Sequence, residues 1–156
     1  MDHHYSLTVK WTGNKGIGTN NYNAYSRSHS VIAENKQEIL CSSDPSFRGD
    51  KTKYNPEEFL LAALSACHML SYLHLCSTAG VVVTDYFDNA KGTMSETDGG
   101  GGHFTEVTLY PSVTIADETM INKATELHHK ANQLCFIANS CNFPIHHKPT
   151  IKIVSN

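Results

Sequence analysis

From Phe59 to Thr84 this chain has no charged residue, and no other feature restricts its fold as tightly. The run is entered through Asn55-Pro56-Glu57-Glu58. Asparagine caps helix N-termini, proline suits the first helical position, and acidic residues in the first turn favour the positive end of the helix dipole. Glu58 stands where the acidic partner of a capping box belongs. Gly80 offers a C-terminal stop. A helix from Asn55 to Ala79 is therefore expected.

Such a helix is long enough to cross a bilayer, for which about 20 apolar residues suffice. Ser65, His68, Ser71, His74, Ser77 and Thr78 interrupt it, however, and it lacks the flanking Lys/Arg asymmetry that orients spans, so no membrane role is expected. The alternative is a core helix, apolar nearly all round, which needs cover on every side. The chain has 156 residues, 40% of them hydrophobic, which fits one domain over residues 1–156. It holds too few strands to surround the helix. A second copy supplying the missing layer, in a homodimer, is the expectation.

The rest of the chain reads as α+β. Tyr5, Leu7, Val9 and Trp11 alternate as a half-buried strand, and Ser28 to Cys41 reads as two short strands around a turn at Glu34-Asn35-Lys36. Val81 to Met94 and His103 to Ile115 look like two long strands joined by a glycine-rich hairpin. No helix directly follows those consecutive glycines, so they make no phosphate cradle and no nucleotide cofactor is expected. A second, amphipathic helix starts at Asp117, with Met120, Ile121, Ala124, Leu127, His128, Ala131, Leu134 and Cys135 at helical spacing. The segment 135–144 prolongs or restarts it as far as Pro144, and residues 149–156 close the chain as a strand.

A net charge of −3, without a basic run, gives no electrostatic footprint for nucleic acid or anionic lipid. The polar N-terminus lacks the basic and apolar regions of a signal peptide, so a cytoplasmic location is expected. Five cysteines, at 41, 67, 76, 135 and 141, form no Cys-x-x-Cys pair and read as free thiols in a reducing compartment. Ten histidines show neither a His-Glu-x-x-His motif nor a zinc-like spacing, so no metal is expected.

The stretch NPEEFLLAALSAC at 55–67, taken with LHHKANQLCFIANSCNFPI at 127–145, resembles the OsmC/Ohr family of osmotically inducible and organic hydroperoxide resistance proteins. The similarity extends through WTGNKGIGTNNYNAYSRSHSV, SSDPSFRGDKTKYNPEE and VVVTDYFDNAKGTM, and the Ser-Asp-Pro-Ser-Phe-Arg-Gly-Asp segment draws it toward an OsmC-like branch. The resemblance implies an α+β fold with antiparallel sheets packed around two long central helices in an intertwined homodimer. It also implies a thiol peroxidase that reduces organic hydroperoxides at the expense of a dithiol, of lipoyl type, with no cofactor. Cys67 matches the peroxidatic cysteine, Cys135 the resolving one, and Glu57 the acidic residue of the helix start. Arg27 matches the N-terminal arginine, with Arg48 as competitor. One departure is Phe136, where many relatives place proline after the second cysteine.

The chemistry is coherent with those residue types. Peroxide reduction needs a thiolate, favoured by a nearby cation such as an arginine held by a carboxylate, and a second thiol to convert the sulfenic acid to a disulfide. An apolar approach lined from among Phe59, Leu60, Leu64, Met69 and Phe136 suits an alkyl peroxide. Bland readings stand beside these. A buried cysteine is usually an inert small hydrophobe, the reading kept for Cys41, Cys76 and Cys141, although Cys141 is near enough to Cys135 to act as a backup resolver. Adjacent helix residues point about 100° apart, so His68 is expected to pack rather than to serve Cys67. His128 and His129 read as a partly exposed helix face, Glu57 as a residue placed for the dipole, and Arg27 as a surface residue. Two rivals remain: a cysteine hydrolase using His128 or His129 as base, and a non-enzymatic protein that binds a small apolar ligand or senses redox state.

Overall fold

The computed structural model describes residues 1–154, so the last two residues of the expected closing strand, Ser155 and Asn156, lie outside the described residues. The chain divides into two compact units, Met1–Phe59 and Leu60 onward. In the first, strands β1 (Thr8–Trp11), β2 (His29–Ile32) and β3 (Ile39–Cys41) form an antiparallel sheet in that order, Thr8 opposite Ile32 and His29 opposite Cys41. Asn35 closes the β2–β3 turn at φ 58°, a left-handed conformation in which asparagine is enriched. The long β1–β2 connection is tied by Trp11, whose indole N–H donates to the Ser26 carbonyl at 2.8 Å. The expected half-burial is not found: Tyr5, Leu7, Val9 and Trp11 are all exposed, and Tyr5 and Leu7 precede β1.

The Ser-Asp-Pro-Ser-Phe-Arg-Gly-Asp segment is a tight loop. Asp44 accepts the Ser46 N–H at 2.7 Å and caps a 3-10 turn at Pro45–Phe47, and Arg48 follows at φ 65°. Gly49 then donates to the Asp44 carbonyl, and a Cβ there would collide with the Ser43 carbonyl, so only glycine fits.

Helix α1 (Pro56–Ala79) is continuous. Its capping box forms reciprocally, Glu58 N–H to Asn55 Oδ1 at 2.8 Å and Asn55 N–H to Glu58 Oε2 at 3.2 Å. At the far end Gly80 takes φ 75°, and the Val81 N–H turns back to the Cys76 carbonyl at 2.9 Å. Of its residues only Leu64, His68, Tyr72, Leu75 and Cys76 are buried. Ala62, Ala66, Leu70 and His74, spaced one turn apart, form an exposed ridge.

In the second unit each expected long strand is broken in two. Val83–Asp88 (β4) and Lys91–Glu96 (β5) part at Asn89-Ala90, while Gly102–Leu109 (β6) and Pro111–Ile115 (β7) part at Tyr110. Asp88 holds the corner, accepting the Tyr110 N–H at 2.6 Å and the Ser65 hydroxyl at 2.6 Å. The halves join different sheets: β4-β7-β9 and β5-β6-β8, where β8 is Ile145–His147 and β9 is Thr150–Ile153. The β4–β7 and β5–β6 pairs are antiparallel as expected, but β8 and β9 lie parallel to β6 and β7. The cause is the helix α2 (Ile121–Leu134), which carries the chain back to the end from which β7 started, as any helical crossover does. Asp117 caps a 3-10 turn at Glu118–Met120 that leads into α2. A second 3-10 turn, Ala138–Ser140, follows α2.

Two apolar clusters hold this unit. Tyr72, Leu75 and Cys76 of α1 pack on Ala124, Leu127 and Ala131 of α2 and on Val113 and Ile115 of β7. Leu64 packs with Val107 and Leu109 of β6.

Candidate functional site

The helices place the two motif cysteines side by side. Cys67 lies midway along α1 and is half-buried, whereas Cys135 terminates α2, where the backbone leaves helical geometry at ψ 111°, and is buried. The Cys135 sulfur accepts the Ala138 N–H at 3.4 Å. Burial, and next the hydrogen-bonding neighbour Cys67, push the Cys135 thiol up to about 11, so Cys135 keeps its proton. No disulfide joins them: all five cysteines are free.

The remaining thiols fit the inert reading. Cys41 and Cys76 are buried, and burial raises both. Cys141 is half-buried, raised by burial, and donates to the Ile137 carbonyl at 3.3 Å within its own turn. Of the residues expected to line an apolar approach, Leu64 belongs to the core and Leu60 packs against it, while Phe136 is 80% exposed and stands free beside Cys135. A surface hollow of ≈ 330 Å³ at the C-terminal end of α1 is lined by Leu73, Cys76, Ser77, Gly80 and Val82, and neither Cys67 nor Cys135 lines it.

Glu57 and Arg27 belong to the first unit. One Glu57 carboxylate oxygen is buried without a hydrogen-bond partner. Arg27 donates to the Tyr25 carbonyl at 2.8 Å and to the Tyr22 carbonyl at 2.9 Å, and its guanidinium lies 4.2 Å from the centres of both tyrosine rings. No ion pair joins Arg27 to Glu57; among the described residues the ion pairs are Lys53–Asp50 and Lys123–Glu126. Arg48, the competing candidate, also faces Tyr22, at 5.9 Å. Along continuous α1, Glu57 and Cys67 are separated by about 15 Å of helical rise.

Sequence reasoning missed the histidines. His128 is not on an exposed face: it is 0% exposed, and its Nδ1 lies 3.0 Å from Nε2 of His68, itself 1% exposed. Tyr72 stacks on His128 with ring centres 3.7 Å apart, and His147 of β8 approaches His68 at 5.7 Å. Burial holds His68 down at about 4, and burial with the adjacent His68 holds His128 down at about 3, so both are neutral. His68 packs, as expected, and His129 is exposed. Nε2 of His68 and Nδ1 of His128 are taken up by each other. Among the described residues no group of three His, Cys, Asp or Glu side chains is placed to hold a metal ion.

Comparison with known proteins gives the chain a family and its fold close counterparts. The family model described as OsmC-like protein matches residues 49–150. An OsmC-like protein of unknown function from Vibrio cholerae is 30% identical, with 96% of this chain and 100% of that one covered at a TM-score of 0.85. At 22% identity, an organic hydroperoxide resistance protein from Elizabethkingia anophelis, with thiocyanate bound, shares the fold at a TM-score of 0.68, covering 99% and 100% of the two chains. A protein from Legionella pneumophila described as an organic hydroperoxide resistance protein OsmC does so at 18% identity, TM-score 0.68, covering 97% and 99%. No curated protein matches significantly. The chain belongs to the OsmC-like protein family.

Proposed function

We propose that this protein is a thiol peroxidase that reduces organic hydroperoxides to alcohols, acting as a cytoplasmic homodimer in which residues 1–156 form one functional domain. The observation that carries this reading is the pairing of Cys67, half-buried, with Cys135, buried and retaining its proton. The Cys67 thiolate attacks a peroxide oxygen; the O–O bond breaks, Cys67 becomes a sulfenic acid, and the alkoxide takes up a proton as the alcohol. The Cys135 sulfur then attacks the Cys67 sulfur, its proton leaving with the expelled hydroxyl as water, and a disulfide forms. A dithiol reductant restores both thiols and is itself oxidised to a disulfide.

The family relation and the names of two fold neighbours favour organic hydroperoxides over other oxidants. In this reading Arg27, held in place by Glu57, stabilises the thiolate of the partner subunit, which fits an unpaired buried carboxylate and an arginine without a carboxylate in the single chain.

The test is consumption of cumene hydroperoxide against hydrogen peroxide, with dihydrolipoamide, glutathione or thioredoxin as reductant. Cys67→Ser should abolish turnover. Cys135→Ser should react once and leave a sulfenic acid at residue 67 that a dimedone-type probe traps. Full activity in Cys67→Ser would remove the nucleophile assigned here.

A further inference from the structure

We infer that His68 and His128 are positioning residues for the thiol pair: their buried hydrogen bond fixes how α2 lies on α1, and through that how closely Cys135 approaches Cys67. The inference rests on reading Cys67 and Cys135 as a redox pair. Each histidine is tied to one cysteine by its own helix. His68 directly follows Cys67, and Cys135 lies two turns beyond His128 on the same buried stripe, with Ala131 between them.

The link is repeated one turn along. Tyr72, four residues after His68, donates its hydroxyl to the carbonyl of Ala124, four residues before His128, at 3.1 Å, and its ring stacks on His128 at 3.7 Å. Two successive turns of antiparallel helices are thus joined by directional contacts, 68 with 128 and 72 with 124.

Apolar packing does not choose between small sliding displacements, whereas a hydrogen bond out of reach of water does, because slipping leaves a donor and an acceptor unpaired. The bond needs a neutral accepting imidazole opposite a donating N–H, and burial keeps both rings neutral. Cys135 sits about 10 Å along α2 from His128, so a small tilt at the histidines becomes a larger displacement at the sulfur. The other nitrogens, Nδ1 of His68 and Nε2 of His128, are buried without partners, as is Nδ1 of the adjacent His147. A core built for stability alone gains nothing from two such half-satisfied rings, since apolar side chains of similar size would serve.

The readout is the equilibrium between the reduced pair and the Cys67–Cys135 disulfide in mixtures of reduced and oxidised dithiothreitol, followed by mass spectrometry of the linked peptides. It requires no peroxidase activity. His68→Leu/His128→Leu removes both polar partners together and should lower the disulfide equilibrium constant by about tenfold or more, because effective concentration depends steeply on fixed geometry. His68→Gln/His128→Asn, whose amides replace the Nε2 and Nδ1 positions, should keep it within about twofold. Tyr72→Phe, which loses only the second link, should lower it by roughly two- to fivefold on the same ground.

Melting curves establish which variants fold. If the leucine pair folds with an unchanged constant, or if it fails to fold and Tyr72→Phe leaves the constant unchanged, the positioning role is overturned while the redox pair stands. If the wild-type chain forms no Cys67–Cys135 disulfide at any ratio, the redox reading and this inference fall together.

Discussion

A neutral imidazole enclosed by protein ties stability to pH. The unfolded chain binds a proton at each histidine near the ordinary value of 6.5, while folded His68 and His128 resist it down to about 4 and about 3. Between those values the unfolded state carries more protons, so their contribution is fully present above pH 6.5 and is lost as the pH falls through about 4 for His68 and about 3 for His128. Each imidazole should steepen the loss by up to about 1.4 kcal/mol per pH unit. The groups that face them are Tyr72 on α1 and His147 on β8; His147 is itself lowered, chiefly by burial, and pulls the same way. Urea unfolding between pH 7 and pH 5 should show this slope, and His68→Leu/His128→Leu should flatten it. An equal slope in the variant would place the acid sensitivity elsewhere. Helical spacing set His128, not His129, among the apolar positions of α2, but that it is wholly enclosed was not legible, because its partner is 60 positions away. The motif cysteines were legible because their surroundings are written in consecutive residues.

At the scale of elements, α1 followed from sequence almost to the residue because both its ends are local. Asn55, Glu58 and Gly80 act on backbone groups within a few positions. Gly80→Ala should lower unfolding free energy by about 1 kcal/mol, since φ 75° is strained for any residue with a Cβ. Asn55→Ala should lower it by a similar ~1 kcal/mol through loss of the cap. Denaturant midpoints with unchanged slopes would check both, and a neutral Gly80→Ala would mean that the turn relaxes. The strands were less legible. Alternation revealed the hairpin of β5 and β6, but the break at Asn89-Ala90 depends on Asp88 finding Ser65 and Tyr110, and neither partner is near it in sequence. The parallel placement of β8 and β9 likewise needs α2 to be docked first.

For the whole molecule the open question is what completes the site. If Glu57 and Cys67 serve one site, the rise of about 15 Å between them on a continuous helix calls for a second chain to bring the carboxylate and its arginine to the thiolate. Refolding Cys67→Ser protein together with Glu57→Ala/Arg27→Ala protein tests the exchange of residues between subunits. A heterodimer built across subunits holds one doubly defective site and one intact site, and should regain half of wild-type activity per heterodimer. If every site is made within one chain, mixing restores nothing.

The uncovered stripe of Tyr5, Leu7, Val9 and Trp11, with the ridge through Ala66 and Leu70, carries a further consequence. If a second copy shelters both, folding and association are a single equilibrium, and dilution becomes a denaturant. The melting midpoint should climb as protein concentration is raised from nanomolar to micromolar, and a midpoint indifferent to concentration would leave that apolar surface facing water in the working molecule.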